Sequence, residues 1–172
     1  MLLVLIFSGL GSAGQAQNKQ SVKNQEVRES GQAEEVKPFN ENANAAAEID
    51  SAILKAKKNG KNVLLLFGAN WCPWSCRLYT LFRNNDEVKK ILNENFELVL
   101  VDLGHRDRNM DIDEKYDYPN ELGLPALVVL NSKGEMLHSQ DSGSLEFPPD
   151  HQPKGHDPKL VSEFLKSWPP EK

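Results

Sequence analysis

The chain has 172 residues, a net charge of −5 and only two cysteines. That length suits one ordinary domain with tails. Its Lys and Arg residues are scattered with no basic stripe, so the electrostatic footprint of a nucleic-acid or anionic-membrane binder is missing.

Residues 2 to 7, Leu-Leu-Val-Leu-Ile-Phe, form a short apolar run, followed by small residues and Gly14-Gln15-Ala16. Apolar core, small residues and then a polar stretch make the pattern of a signal peptide over residues 1–16, although a basic n-region is missing. The run is too short for a membrane span, which needs about 20 apolar residues. No cysteine lies near the cleavage site to carry a lipid anchor. Export to the periplasm or the extracellular space is therefore expected, where a disulfide can persist. Residues 17–43 are rich in Gln, Asn, Glu and Lys. Such a segment buries too little surface to offset its ordering entropy and reads as a disordered linker. The folded domain is placed at 44–172.

Strong helix formers run from Ala45 to Lys58, with Ile49, Ile53 and Leu54 as apolar positions and Asn59-Gly60 as the stop. Val63 to Phe67 is an unbroken apolar run, as in a central strand covered on both faces. A helix is expected from Pro73 to Arg83, with Leu78, Leu81 and Phe82 as its apolar positions. Asn85-Asp86-Glu87 caps another helix through Asn93. Phe96 to Asp102 reads as a second buried strand. Residues 104 to 121 are polar and read as a loop with a short helix around Ile112 to Tyr116. Leu127 to Leu130 and Glu135 to Ser139 form a hairpin about Asn131-Ser132-Lys133-Gly134. Residues 141 to 156 look irregular. Asp157-Pro158 starts a final helix with Leu160, Val161, Phe164, Leu165 and Trp168 on its apolar face. The order predicts an α/β domain: a small mixed central sheet flanked by helices on both faces.

Both cysteines lie in Trp71-Cys72-Pro73-Trp74-Ser75-Cys76-Arg77, where the first strand gives way to a helix. The free N–H groups of a helix's first turn stabilise a thiolate, the attacking species in disulfide exchange. Cys72 is thus the candidate nucleophile. Cys76 follows at Cys-x-x-x-Cys spacing, one residue longer than the usual redox pair. A disulfide needs Cβ atoms about 3.5–4.5 Å apart, whereas i, i+4 neighbours in a regular helix lie about 6 Å apart. A distorted first turn would be required, and such a bond would be strained and easily reduced.

Phe67-Gly68-Ala69-Asn70-Trp71-Cys72 at the strand–helix junction, with Gly123-Leu124-Pro125 before a later strand, resembles the thioredoxin-like superfamily. The resemblance covers about Ala45 to Trp168. More narrowly, the chain is similar to exported bacterial thioredoxin-like proteins. Val101-Asp102-Leu103-Gly104 with Asn109 and His138-Ser139-Gln140-Asp141-Ser142-Gly143 carry that likeness. The resemblance implies a cis proline at Pro125 facing the active-site cysteine. It implies thiol–disulfide exchange on protein substrates or redox partner proteins by a monomer, with Cys72 attacking and Cys76 resolving. Trp71, Trp74, Ser75, Leu124 and Pro125 are the expected substrate contacts.

Three departures stand out. Without a gap, Ser75 occupies the place of the second cysteine and Cys76 comes one position later. Leu66 stands where many thioredoxins bury an acidic proton acceptor. Pro73-Trp74 replaces Gly-Pro between the cysteines. A non-catalytic binding module with an altered second cysteine is therefore an alternative. A copper chaperone of the same fold is another, with Cys72, Cys76 and one of His105, His138, His151 or His156 as ligands, since soft thiolates suit Cu(I). As single residues the histidines read as solvated loop positions, and no metal site is assigned. No phosphate-binding glycine loop is present, so no cofactor is expected.

Overall fold

A computed structural model of the protein describes residues 36–171. The signal peptide and most of the linker expected from the sequence lie outside the described residues. The elements are α1 (Ala45–Asn59), β1 (Asn62–Gly68), α2 (Pro73–Asn84), α3 (Asp86–Asn95), β2 (Phe96–Asp102), α4 (Met110–Lys115), β3 (Ala126–Leu130), β4 (Met136–Asp141) and α5 (Pro158–Lys166). Single 3-10 turns cover Pro119–Leu122 and Ser142–Leu145.

The four strands form one mixed sheet in the order β2-β1-β3-β4. β1 pairs parallel with β2, Asn62 opposite Phe96, as expected of two strands joined through helices. It pairs antiparallel with β3, and β3 with β4. Side chains alternate across the sheet. Leu64, Leu66, Leu127 and Val129 join Leu78, Phe82, Ile91, Phe164 and Leu165 on the face covered by α2, α3 and α5. Val63, Leu65, Phe67, Val99, Val101 and Val128 meet Ile49, Ala52, Ala56 and Ile112 on the face covered by α1 and α4. Every residue of β1 is buried. The mixed sheet with helices on both faces is thus the one the chain order implies.

The helix ends follow the local chemistry. Asn85 and Asp157 accept from the amides of Val88 and Lys159, capping α3 and α5. Gly60, at φ 64°, closes α1 in the left-handed region.

Three details differ from the sequence reading. Leu54 is 70% exposed, because α1 buries Ala45, Ile49, Ala52 and Ala56 instead. Those residues, three or four apart, form a continuous stripe, and its three alanines let the helix approach the sheet. β2 is an edge strand, and Glu97, Leu98 and Leu100 are only half-buried. Residues 36–43, assigned above to the linker, belong to the folded unit. Phe39 is 3% exposed and sits in the core with Leu66, Leu78 and Phe82.

Candidate thiol site

The site is built where β1 ends. After Gly68 the chain turns through Ala69-Asn70-Trp71, and the Cys72 amide donates to Ala69 O at 3.1 Å. Cys72 is the N-cap of α2, in extended conformation, with Pro73 at the first helical position. Proline is favoured there because its missing N–H would have no intrahelical partner. The Cys72 Sγ donates to Leu124 O at 3.4 Å. The Leu124–Pro125 peptide is cis. Ser142, buried after β4, donates its hydroxyl to Pro125 O and braces that loop from behind. Its part was not legible in the sequence, because it is reached only across the sheet.

Cys76 lies one helical turn on, its amide bonded to Cys72 O at 3.2 Å. Its Sγ donates to Asn70 O at 3.5 Å, so the side chain lies back against the turn that presents Cys72. Both residues are thiols, not joined as a disulfide. Cys72 is 5% exposed, so access to it is narrow.

The remaining expected contacts divide. Trp71 is half exposed; its Nε1 donates to Gly104 O at 2.6 Å. His105 stacks on it at 5.5 Å with 4° between ring planes. Leu124 is half-buried, while Pro125 is buried. Ser75 is fully buried with its hydroxyl unpartnered, so it lies inside the fold rather than on a substrate-facing surface. Trp74 is half-buried between the ring of His156, edge-on at 5.6 Å, and the Arg77 guanidinium, 5.2 Å from its centre.

Asn70 is a site residue that the sequence reading missed. Its Oδ1 accepts from Phe39 N at 3.0 Å and its Nδ2 donates to Phe39 O at 2.8 Å. The side chain thus imitates a strand neighbour and stitches the segment before α1 onto the turn that carries Cys72. Glu41 adds a bond to the Asn70 amide at 3.4 Å and an ion pair with Arg108 at 3.0 Å. Arg108 also bonds Asp102, at 2.8 Å. The hydrogen bonds from Arg108 and Asn70 lower the Glu41 pKa from its ordinary value. Asn70→Ala removes the two bonds to Phe39 and is expected to lower stability by about 1–3 kcal/mol in chemical denaturation.

The histidines are dispersed. His105 stacks on Trp71 and His138 on Trp168, the latter pair at 4.8 Å. His151 stacks on Phe147 at 3.8 Å. His156, read from sequence as surface loop, is 4% exposed with neither ring nitrogen partnered. Burial, and then the charge of Arg77, push its pKa down to about 4. Among the described residues no group of three or more His, Cys, Asp or Glu side chains is placed to hold a metal ion.

A thiol at a helix N-cap, leaving a central strand and facing a cis proline, defines a thioredoxin-like protein. The thioredoxin-like family model matches residues 44–132, and the chain belongs to that family. It is similar to the solved disulphide isomerase from Xylella fastidiosa Temecula1, with 29% identity and a TM-score of 0.67 over 77% of this chain and 96% of that one. It is also 37% identical over 62 residues to spermatogenesis-associated protein 20 of Mus musculus, a stretch covering 36% of this chain and 8% of that protein. The Rattus norvegicus protein of the same name matches at the same identity and coverage. The chain thus spans only a small part of the length of these two relatives. Among the described residues no helix is long and apolar enough to cross a membrane.

Proposed function

We propose that the protein is a thiol–disulfide oxidoreductase acting on other proteins, with Cys72 as the attacking thiol and Cys76 as the resolving thiol. The observation that carries this reading is the placement of Cys72. It caps the N-terminus of α2 with its sulfur against the carbonyl that precedes Pro125. The apolar surroundings of Trp71 and Leu124 suit a polypeptide partner.

In the reductive direction the Cys72 thiolate attacks one sulfur of a substrate disulfide. A mixed disulfide forms and the other substrate sulfur leaves as a thiolate. The Cys76 thiolate then attacks the Cys72 sulfur, releasing the second substrate thiol and leaving a Cys72–Cys76 disulfide. Two electrons pass from the dithiol to the substrate, and an external dithiol restores the reduced pair. Because Cys76 sits one turn along α2, closing that disulfide requires the first turn of the helix to distort. The similarity to a protein described as a disulphide isomerase supports this class of chemistry.

The one-turn spacing, with Ser75 buried at the usual partner's position, favours a second reading: a binding module that does not turn over. Insulin reduction in the presence of dithiothreitol separates the two. Faster precipitation of the insulin B chain than in the protein-free control is expected, and a rate equal to that control would remove the oxidoreductase reading.

We further read residues 1–16 as a signal peptide and the mature protein as exported to the periplasm or the extracellular space. The N-terminal sequence of protein recovered from outside the cytoplasm is expected to begin at Gln17.

A further inference from the structure

His156 is a buried imidazole that the thiol chemistry leaves unused. It lies where the irregular segment between β4 and α5 closes on itself. Phe147 N donates to Gly155 O at 3.0 Å and Asp157 N to Leu145 O at 2.8 Å, and between these bonds Glu146 and His156 face each other as an isolated antiparallel bridge. Residues 147–155 beyond this neck form a tip that holds itself together, with Phe147 stacked on His151 at 3.8 Å and His151 N bonded to Pro148 O at 2.9 Å. At the neck the His156 ring meets the edge of Trp74, the residue midway between the two cysteines. Neither ring nitrogen has a partner, although the residue is 4% exposed. A neutral ring with the same contacts but no polar atoms would fill this place at lower cost. The charge-bearing capacity of the side chain is therefore unused while the neck is closed.

We propose that neutral His156 is a plug that fastens the 145–157 segment to the first turn of the cysteine helix, and that its protonation releases the segment and uncovers Trp74. The charged groups around it favour release once a proton is taken up. From α2 it faces the Arg77 guanidinium, which lies over the Trp74 ring. Across the bridge stands Glu146, whose carboxyl is pushed up in pKa by burial and by Asp141, with Lys154 acting against the shift. The adjoining Asp157 carboxylate is engaged with Lys159 N at the start of α5. An imidazolium at this position would be buried beside a guanidinium with no hydrogen-bond acceptor on either nitrogen, a state that burial penalises heavily. Turning the ring out to water removes that penalty.

The direction follows from linkage. Closed, the pKa is lowered from 6.5 to about 4; open, it returns to 6.5. The open form therefore binds the proton more tightly. The closed form is fully favoured above pH 6.5, loses ground as the pH falls toward 4, and loses no more below that. At pH 5 the ratio of open to closed form is expected to rise about 20-fold over its value at pH 7. This inference concerns the segment and Trp74 and stands whether or not the two thiols turn over.

Amide hydrogen exchange of the full chain tests it. Protection of the Phe147 and Asp157 amides, corrected for intrinsic exchange, is expected to fall by about 10-fold or more between pH 7 and pH 5, while Leu65 in β1 and Val128 in β3 keep theirs. In His156→Phe, whose ring takes no proton, the same two amides are expected to hold their protection throughout. Constant protection in the wild type would overturn the proposal. So would a fall shared equally by Leu65 and Val128, or one that persists in His156→Phe. Should that variant not fold, the wild-type imidazole resonances decide. Titration of His156 near pH 6.5 with the neck still protected would overturn the proposal, and titration accompanied by loss of the neck's protection would support it.

Discussion

Cys72→Ser is expected to reduce insulin reduction by about 10³-fold, to the level of dithiothreitol alone, because it removes the only sulfur at the helix N-cap. Cys76→Ser should behave differently. Its Cys72 still attacks, but the mixed disulfide has no neighbouring thiol to resolve it. A covalent complex with a substrate protein should accumulate and show as a reducible band on a non-reducing gel. The contrast rests on geometry. Cys72 caps α2 with its sulfur on Leu124 O, whereas the Cys76 sulfur is set against Asn70 O. Full turnover by Cys76→Ser would assign resolution to the external dithiol and leave Cys72 as a single-thiol site. Loss of the trapped complex in a Cys72→Ser/Cys76→Ser double variant would establish which sulfur forms it.

The second large effect falls on stability. Phe39 and Gly68 pack so closely that a methyl group added at Gly68 would meet Phe39 Cζ at 2.5 Å and Ser75 Oγ at 2.7 Å. Glycine is required at the end of β1 for this close approach, since side chains occupy the space a Cβ would need. Phe39→Ala should cost about 3–5 kcal/mol by emptying a site in the core. Gly68→Ala should cost about 1–3 kcal/mol by overpacking it. The double variant is expected to lose less than the sum of the two, because the cavity left by Phe39 admits the new methyl group. Urea denaturation of the four proteins closes the cycle, and strict additivity would show that the two residues do not share one space. The same cycle tests whether the segment before α1 is part of the domain: Phe39→Ala would be silent if it were a solvated linker.

Much of this site was legible in the chain. The apolar run of β1, the cysteine just past it and Pro73 behind that cysteine all report local preferences of a few neighbouring residues. So do Asn85 and Asp157 as caps. Ser75 shows where such reading stops. As a small polar residue between two cysteines it reads as a surface neighbour of the thiols, yet it is sealed beneath the turn by Gly68 and Phe39. His156 shows the same limit: its Pro- and Gly-rich surroundings read as exposed loop, but the Glu146 bridge and Trp74 cover it. In Leu54 the error has the opposite sign, since hydrophobicity drew attention from the alanine stripe that packs on the sheet.

The sequence by itself determined the order of strands and helices and the placing of Cys72 at a helix start, because periodicity, caps and proline act over a few residues of chain. Only the tertiary structure decided that Asn70 binds Phe39, that Ser75 and His156 are buried, and that the Cys76 sulfur rests on Asn70 O. Most of those contacts join residues far apart along the chain, and burial depends on everything packed around a side chain. No local pattern records either.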